Sequence, residues 1–158
     1  MRAVVQRVAS AHVEIAGDVV GAIDRGLLVY LGLGRHDTDE DRSWMTAKIV
    51  HLRVFEDEAG KMARSVVDVG GSLLVVSQFT LYGDVRRGCR PSFDEAMDPT
   101  TACEAYETCV REMRSQGVRV ETGKFRADMR VSSINDGPVT IWLDSAVRGS
   151  GDARRNAT

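Results

Sequence analysis

The sequence predicts a mixed α/β domain, rich in strands and carrying two helices. Three observations lead there. Apolar residues alternate with polar ones through the first third of the chain, as in half-buried strands. The period then changes to helical spacing in two segments, around Met45–Leu52 and Ala102–Met113. Glycine, asparagine and aspartate punctuate the chain where turns would join strands. The length of 158 residues suits one domain, and 43% hydrophobic with 28% charged residues is a globular composition, not a disordered one.

Taken in order, Val4, Val5 and Val8, then Ala11, Val13 and Ile15, form the first strand. Gly17-Asp18 falls where a hairpin turn belongs, and Val19–Ile23 returns. Leu27–Leu33 is a continuous apolar run, the pattern of a strand buried on both faces. Asp37–Arg53 reads as a helix: Met45, Ile49 and Leu52 share a face, and Asp37, Asp39 and Glu40 suit the positive end of its dipole. Leu52–Phe55 reads as strand and residues 58–61 as a turn. After Gly70-Gly71, Leu73–Phe79 is an apolar strand that turns polar at its end. Residues 83–97 have no period and read as loop. Asp98 as N-cap, Pro99 at the first helical position and Gly117 beyond the end delimit the second helix. Val118–Glu121, Met129–Ile134 and Val139–Leu143 are expected closing strands, the last two joined by a turn at Asn135-Asp136-Gly137-Pro138. Residues 1–145 are expected to form one domain and 146–158 a polar tail.

Several function classes are excluded. A net charge of −2 does not hold nucleic acid by bulk charge, so such a partner must be met by local patches. Cys89, Cys103 and Cys109 are an odd set without metal spacing, which points to a reducing, cytoplasmic setting rather than a disulfide scaffold. No apolar run is long enough to span a membrane, and the opening residues do not make a signal peptide. His12, His36 and His51 stand far apart without ligand-spaced partners, so no metal and no cofactor are expected. Gly32-Leu33-Gly34 lacks the third glycine of a dinucleotide loop, and no Ser-His-Asp pattern is present.

Two segments stand out. Ser77-Gln78-Phe79-Thr80-Leu81 ends a buried strand in hydroxyl and amide groups, where unpaired backbone N–H groups can face a developing oxyanion. Asn135-Asp136-Gly137-Pro138-Val139-Thr140 couples the freedom of glycine to the rigidity of proline, so its carbonyls can be held at unusual angles. Viewed singly, each is more simply a polar turn.

Together the two segments resemble the signature motifs of the D-aminoacyl-tRNA deacylases. The resemblance extends through Met1–Val8, Gly26-Leu27-Leu28, Asp68–Gly71, Arg90-Pro91-Ser92-Phe93, Thr122-Gly123 and Ala127-Asp128-Met129. It implies two packed, barrel-like mixed sheets with both helices on one face, in a homodimer. It implies hydrolysis of the ester joining a D-amino acid, or glycine, to the acceptor end of tRNA. The Gly137-Pro138 peptide would be cis and act in trans, entering the partner's pocket to reject L-substrates. Ser77, Gln78, Phe79 and Thr80 would line that pocket, Met129 would lie near the aminoacyl group, and Arg7 would brace the Gly-Pro unit.

An aminoacyl ester is activated, so oxyanion stabilisation and positioning can carry its hydrolysis. The expected route has the Phe79 N–H, helped by Gln78, receive the carbonyl oxygen while the ribose 2′-hydroxyl activates water. The competing route makes Thr80 a nucleophile, for which the sequence offers no nearby base. Arg86, Arg87 and Arg90, with Lys124, Arg126 and Arg130 and the tail pair Arg154-Arg155, are candidate tRNA contacts through phosphate. A non-catalytic binding module, and a related deacylase subfamily with a trans Gly-Pro peptide, are the rival readings; Arg7 speaks against the second.

Overall fold

The computed structural model describes residues 1–148, and Arg154 and Arg155 lie outside the described residues. Its spine is β1 (Arg2–Ile15). Along one edge β1 pairs antiparallel with β3 (Gly26–Gly32), from Arg2↔Gly32 to Val8↔Gly26, and then with β2 (Asp18–Ile23). The same β1 residues also pair with β8 (Arg130–Asp144), which therefore takes the other edge. β3 continues the sheet through parallel pairing with β6 (Ser72–Ser77), and β6 pairs parallel with β7 (Arg119–Thr122).

The order β2-β1-β3-β6-β7 curls until its ends meet. A Cβ on Gly21 of β2 would lie 2.3 Å from the Thr122 carbonyl oxygen of β7, so glycine there permits near-closure into a barrel. The β1–β2 turn has two residues, Ala16 and Gly17, both with positive φ (51° and 92°). That geometry matches the right-handed twist of the flanking strands.

Hydrophobic patterning explains the layers. Leu27, Leu28, Val29 and Leu31 of β3, and Leu73–Val76 of β6, are buried whichever face they point to. One face meets a core formed by the two helices; the other, with Val8, Ala11, Val13, Leu28 and Leu74, fills the barrel. This is why the Leu27–Leu33 run is unbroken. Helix α1 (Asp39–His51) starts with a capping box between Thr38 and Asp41, and buries Met45, Ile49 and Val50. Helix α2 (Pro99–Ser115) is capped by Asp98, whose carboxylate accepts from the Thr100 and Thr101 N–H groups at 3.1 Å each. It buries Ala102, Tyr106, Cys109, Val110 and Met113. Arg42 of α1 holds Glu112 of α2 at 2.7 Å, and the Thr46 hydroxyl donates to the same carboxylate at 3.1 Å. The mixed sheet, the barrel-like curl and the helices on one face match the expected architecture.

Two local expectations change. The strand expected at Leu52–Phe55 is only β4 (Phe55–Glu56), paired with β5 (Met62–Arg64) in a small second sheet. Most of the tail expected from residue 146 lies outside the described residues; Ser145–Val147 form a 3₁₀ turn, and Arg148 reaches Glu40 and Asp41 of α1 at 3.2 and 3.1 Å. Most important, Met129–Ile134 and Val139–Leu143 are not two strands. They are one strand, β8, and its ladder to β1 slips on either side of Val8. Asn135–Pro138 is thus an irregularity within a strand, because β1 runs on past it and continues to offer partners.

Gly26 marks the closest approach of β3 to β6: an added Cβ would stand 1.9 Å from the Ser72 carbonyl oxygen. Gly26→Ala should therefore cost stability by at least the ~1–3 kcal/mol of ordinary overpacking, read as a lower urea midpoint.

Candidate active site

β6 and β7 stop pairing at Val75↔Thr122, and β3 makes its last bond to this segment through the Gln78 N–H and the Leu31 carbonyl, at 2.8 Å. The chain beyond therefore leaves the sheet. It winds into a single 3₁₀ turn, Phe79–Tyr82. The first N–H groups of such a turn have no partner within it. Among the described residues, nothing accepts a hydrogen bond from the Phe79 N–H. Packing room for the turn comes from β3, where a Cβ on Gly32 would meet the Gln78 carbonyl oxygen at 2.9 Å.

This strand end forms one wall of a cavity of about 710 Å³. Ser77, Gln78 and Phe79 face Phe93 and Met97 of the preceding loop, Asp98, Pro99 and Ala102 at the head of α2, and the strip Phe125–Met129. Phe79 meets Phe93 edge to face with ring centroids 5.0 Å apart, an aromatic rim that is half open to solvent. Tyr106 buttresses the back: its hydroxyl donates to the Val75 carbonyl at 2.8 Å, and its ring packs against Phe125 at 5.9 Å.

Of the residues singled out in the sequence, Ser77, Gln78, Phe79, Arg126 and Met129 come together on this cavity. Thr80 is exposed on the turn, and its hydroxyl accepts a hydrogen bond from the Gln78 side-chain amide. Gly137, Pro138 and Arg7 are not part of the wall. They form a second centre on β1 and β8. The buried Arg7 guanidinium donates from Nη1 to the Val54 carbonyl at 2.6 Å and from Nε to the Asp136 carbonyl at 3.2 Å, with the Asp136 carboxylate at 3.3 Å. The Asn135 side-chain amide donates to the carbonyls of Arg7 and Val139, replacing ladder bonds lost at the slip. Gly137 has φ of +120°, a Cβ there would lie 2.7 Å from Arg7 Nη2, and the Gly137–Pro138 peptide is cis.

The basic candidates scatter. Arg86 is tied to Asp84 at 2.6 Å, a pairing that holds the Asp84 carboxyl down to about 2. Arg87 and Arg90 are exposed in the same loop, and Lys124 is exposed beside the cavity. Arg130 lines a separate shallow depression with Glu14 and Asp128.

Sequence reasoning missed the aromatic walls Phe93 and Phe125, and the acidic groups Asp98 and Asp128 on the cavity. Asp98 is visible in the sequence as a cap; its second position, on the wall, follows only from where α2 starts. No histidine or cysteine lines the cavity. Burial pushes the Cys109 thiol up to about 12, which removes it as a nucleophile at neutral pH. No group of metal-ligating side chains is found among the described residues.

The model of the family D-Tyr-tRNA(Tyr) deacylase matches residues 4–144. A protein of Thermotoga petrophila named D-aminoacyl-tRNA deacylase is 59% identical over 146 residues, covering 92% of this chain and 98% of the relative. The chain belongs to the D-Tyr-tRNA(Tyr) deacylase family. A Thermus aquaticus protein, also named D-aminoacyl-tRNA deacylase, is 56% identical with 92% and 96% covered. Among solved structures, one described as c-Myc DNA Unwinding Element Binding Protein superposes with a TM-score of 0.86 at 44% identity, covering 91% of this chain and 98% of that one. Another, described as a probable eukaryotic D-amino acid tRNA deacylase, shares the fold with a TM-score of 0.77 at 19% identity, over 90% and 97% of the two chains. The family match spans both the cavity and the Gly137-Pro138 centre of this deacylase-family chain.

Asp98 gives this region a pH dependence. Hydrogen bonds from Thr101 and the neighbouring N–H groups hold its carboxyl below the usual range. The cap therefore stabilises fully above the unfolded carboxyl pKa of ~3.9 and loses its effect as pH falls through the lower folded value. Asp98→Ala should lower the melting temperature at neutral pH, and the gap to wild type should close as the pH is taken below ~4.

Proposed function

We propose that this protein hydrolyses the ester of D-aminoacyl-tRNA, and of glycyl-tRNA, releasing the amino acid and tRNA while sparing L-aminoacyl-tRNA. One observation carries the reading. Among the described residues, the Phe79 N–H has no acceptor, and Phe79 stands on the wall of a cavity lined by no histidine or cysteine. Such a site suits an ester, which needs its oxyanion stabilised more than it needs a powerful nucleophile.

The terminal ribose enters the cavity between the Phe79–Phe93 rim and the 125–129 strip, with Met129 beside the aminoacyl group. Water attacks the ester carbonyl, oriented by the ribose 2′-hydroxyl. The developing oxyanion accepts from the Phe79 N–H, and the departing ribose oxygen takes up the proton. Thr80 is not required as a nucleophile. Its hydroxyl is engaged by the Gln78 amide, and no base lies against it among the described residues. Arg126 on the cavity wall, Lys124 next to it in the chain, and the exposed loop arginines Arg86, Arg87 and Arg90 meet phosphates of the tRNA without reading sequence.

The chiral filter comes from a second copy of the chain. Gly137 and Pro138 lie off the cavity of their own protomer, so they reach a bound ester only from a partner. The outer face of β1 and β8 offers the surface for a two-fold dimer, with Ile134 and Trp142 63% and 52% exposed. Rigid carbonyls of Gly137-Pro138 then accept the α-ammonium and occupy the space an L side chain would need. Glycine has no side chain to exclude and passes the filter.

In deacylation assays on matched tRNAs, D-Tyr-tRNA should be cleaved efficiently, Gly-tRNA measurably and L-Tyr-tRNA negligibly. Equal rates for the D and L esters would overturn the filter. In single-turnover measurements, Thr80→Ala should retain activity; complete loss with tRNA binding intact would make Thr80 the nucleophile. Light scattering at micromolar concentration should report a dimer, and a fully active monomer would remove the cross-subunit role.

A further inference from the structure

The Phe79 N–H is useful only if its direction is held, and the turn that carries it is weakly held by its own bonds. After the last ladder bond at Gln78, the turn is tied to the chain at its two ends by backbone bonds of its own: Leu81 N–H to Gln78 O, long at 3.3 Å, and Gly83 N–H to Thr80 O at 2.9 Å. A single four-residue 3₁₀ turn, with the poorer hydrogen-bond geometry of its kind, needs outside anchors. One is packing of Tyr82 against the end of β3 and the chain just past it, where a Cβ on Gly32 would meet the Tyr82 ring at 3.4 Å and one on Gly34 at 2.7 Å.

The other anchor is Arg2. We propose that Arg2 is a positioning residue: it fixes the turn Phe79–Tyr82 from its far end, and through the turn it fixes the direction of the Phe79 N–H. Its Nη1 donates to the Leu81 carbonyl at 3.0 Å, and its guanidinium carbon lies 4.5 Å above the Tyr82 ring. Its Nε is held by the Asp144 carboxylate at 3.3 Å, which sets the plane of the group. The backbone of Arg2 sits between Gly32 of β3 and Asp144 of β8, so the anchor is fixed to the middle of the sheet. The Arg2 side chain is 35% exposed, and ion pairs of that kind add little stability. Its geometry is another matter. A planar fork can stack on a ring while it donates to a carbonyl and to a carboxylate at once, which an ammonium cannot. Arg2 does not line the cavity, so its effect on chemistry passes through the turn.

The proposal rests on the deacylase reading, and the test separates the two. Wild type, Arg2→Lys and Arg2→Met are compared on D-Tyr-tRNA, with amide hydrogen exchange of Leu81 and Gly83 measured on the same samples. Arg2→Met should lower kcat by ~10-fold or more, since misplacement of ~1 Å can cost about 100-fold, with KM within about twofold of wild type. Exchange at Leu81 and Gly83 should speed up while the β3 amides stay protected. Arg2→Lys should recover only part of the rate, because the stacked fork is lost. Unchanged kcat in Arg2→Met, full rescue by lysine, or unchanged exchange in the turn would each overturn the proposal. Should Arg2→Met fail to fold, Asp144→Asn removes the charge that holds the guanidinium plane while keeping a side-chain oxygen for the Ala146 N–H; a lower kcat with faster turn exchange supports the role, and wild-type values refute it. If wild type itself leaves D-Tyr-tRNA intact, the functional reading fails, and the exchange data alone decide whether Arg2 holds the turn.

Discussion

A buried guanidinium must find acceptors, and Arg7 is charged, central and buried. It points inward from the middle of β1, where a regular strand offers its side chains nothing but apolar neighbours. The cost of burying such a charge unpaired exceeds that of any single mispacked methyl group. The surrounding chain answers with the Val54 carbonyl, the Asp136 carbonyl and the Asp136 carboxylate. Holding the Asp136 carbonyl and carboxylate against Arg7 goes with a β1–β8 ladder whose register slips on both sides of Val8. Gly137 then takes a φ of +120° and leaves no room for a Cβ against Arg7. The Gly-Pro centre is thus shaped by the electrostatic need of one side chain on the neighbouring strand.

The cavity follows from a different constraint, the unequal length of paired strands. β6 outruns β7 by two residues, and β3 gives its last bond to Gln78. Backbone groups past that point must find partners elsewhere or face a cavity. Just before it, where β7 ends, the Val75 carbonyl accepts from the Tyr106 hydroxyl, a buried bond of ~0.5–1.5 kcal/mol net, and from the Gly123 N–H at 3.4 Å. The Phe79 N–H has no acceptor among the described residues. Glycines at 32 and 34 let the turn sit close on β3, so the same two residues that fail as a dinucleotide motif serve as packing space.

Much of the fold is legible in the sequence because its signals are local. The Leu27–Leu33 run, the Asp98-Pro99 start and Gly117 stop of α2, and the Gly17 hairpin each depend on neighbours in the chain. The misread region shows where local reasoning ends. Asn135-Asp136-Gly137-Pro138 has turn composition, and it becomes part of β8 because Arg7 and the rest of β1, more than 120 residues away, supply partners on the far side. The cavity was half legible for the same reason. Ser77–Phe79 end an apolar strand and announce themselves. Phe93, Asp98 and Phe125 come from three separate segments, and only the folded chain makes them one wall.

Under the proposed function, this division into two centres has a chemical logic. Esters of many D-amino acids differ in side chain and share only the α-ammonium, the carbonyl and the handedness at Cα. Side chains that grip one residue type would reject others, so recognition and catalysis are better built from backbone groups, whose geometry is independent of the substrate's side chain. Backbone groups, however, can be aimed only by whatever holds the chain around them. A strand that outruns its neighbour aims an N–H, and a slipped strand locked by a buried arginine aims carbonyls. Neither device can stand where the other does, because one needs the end of a ladder and the other needs a ladder that continues past it. A site that uses both must draw on two places in the sheet, and a second copy of the chain is the simplest way to bring them face to face.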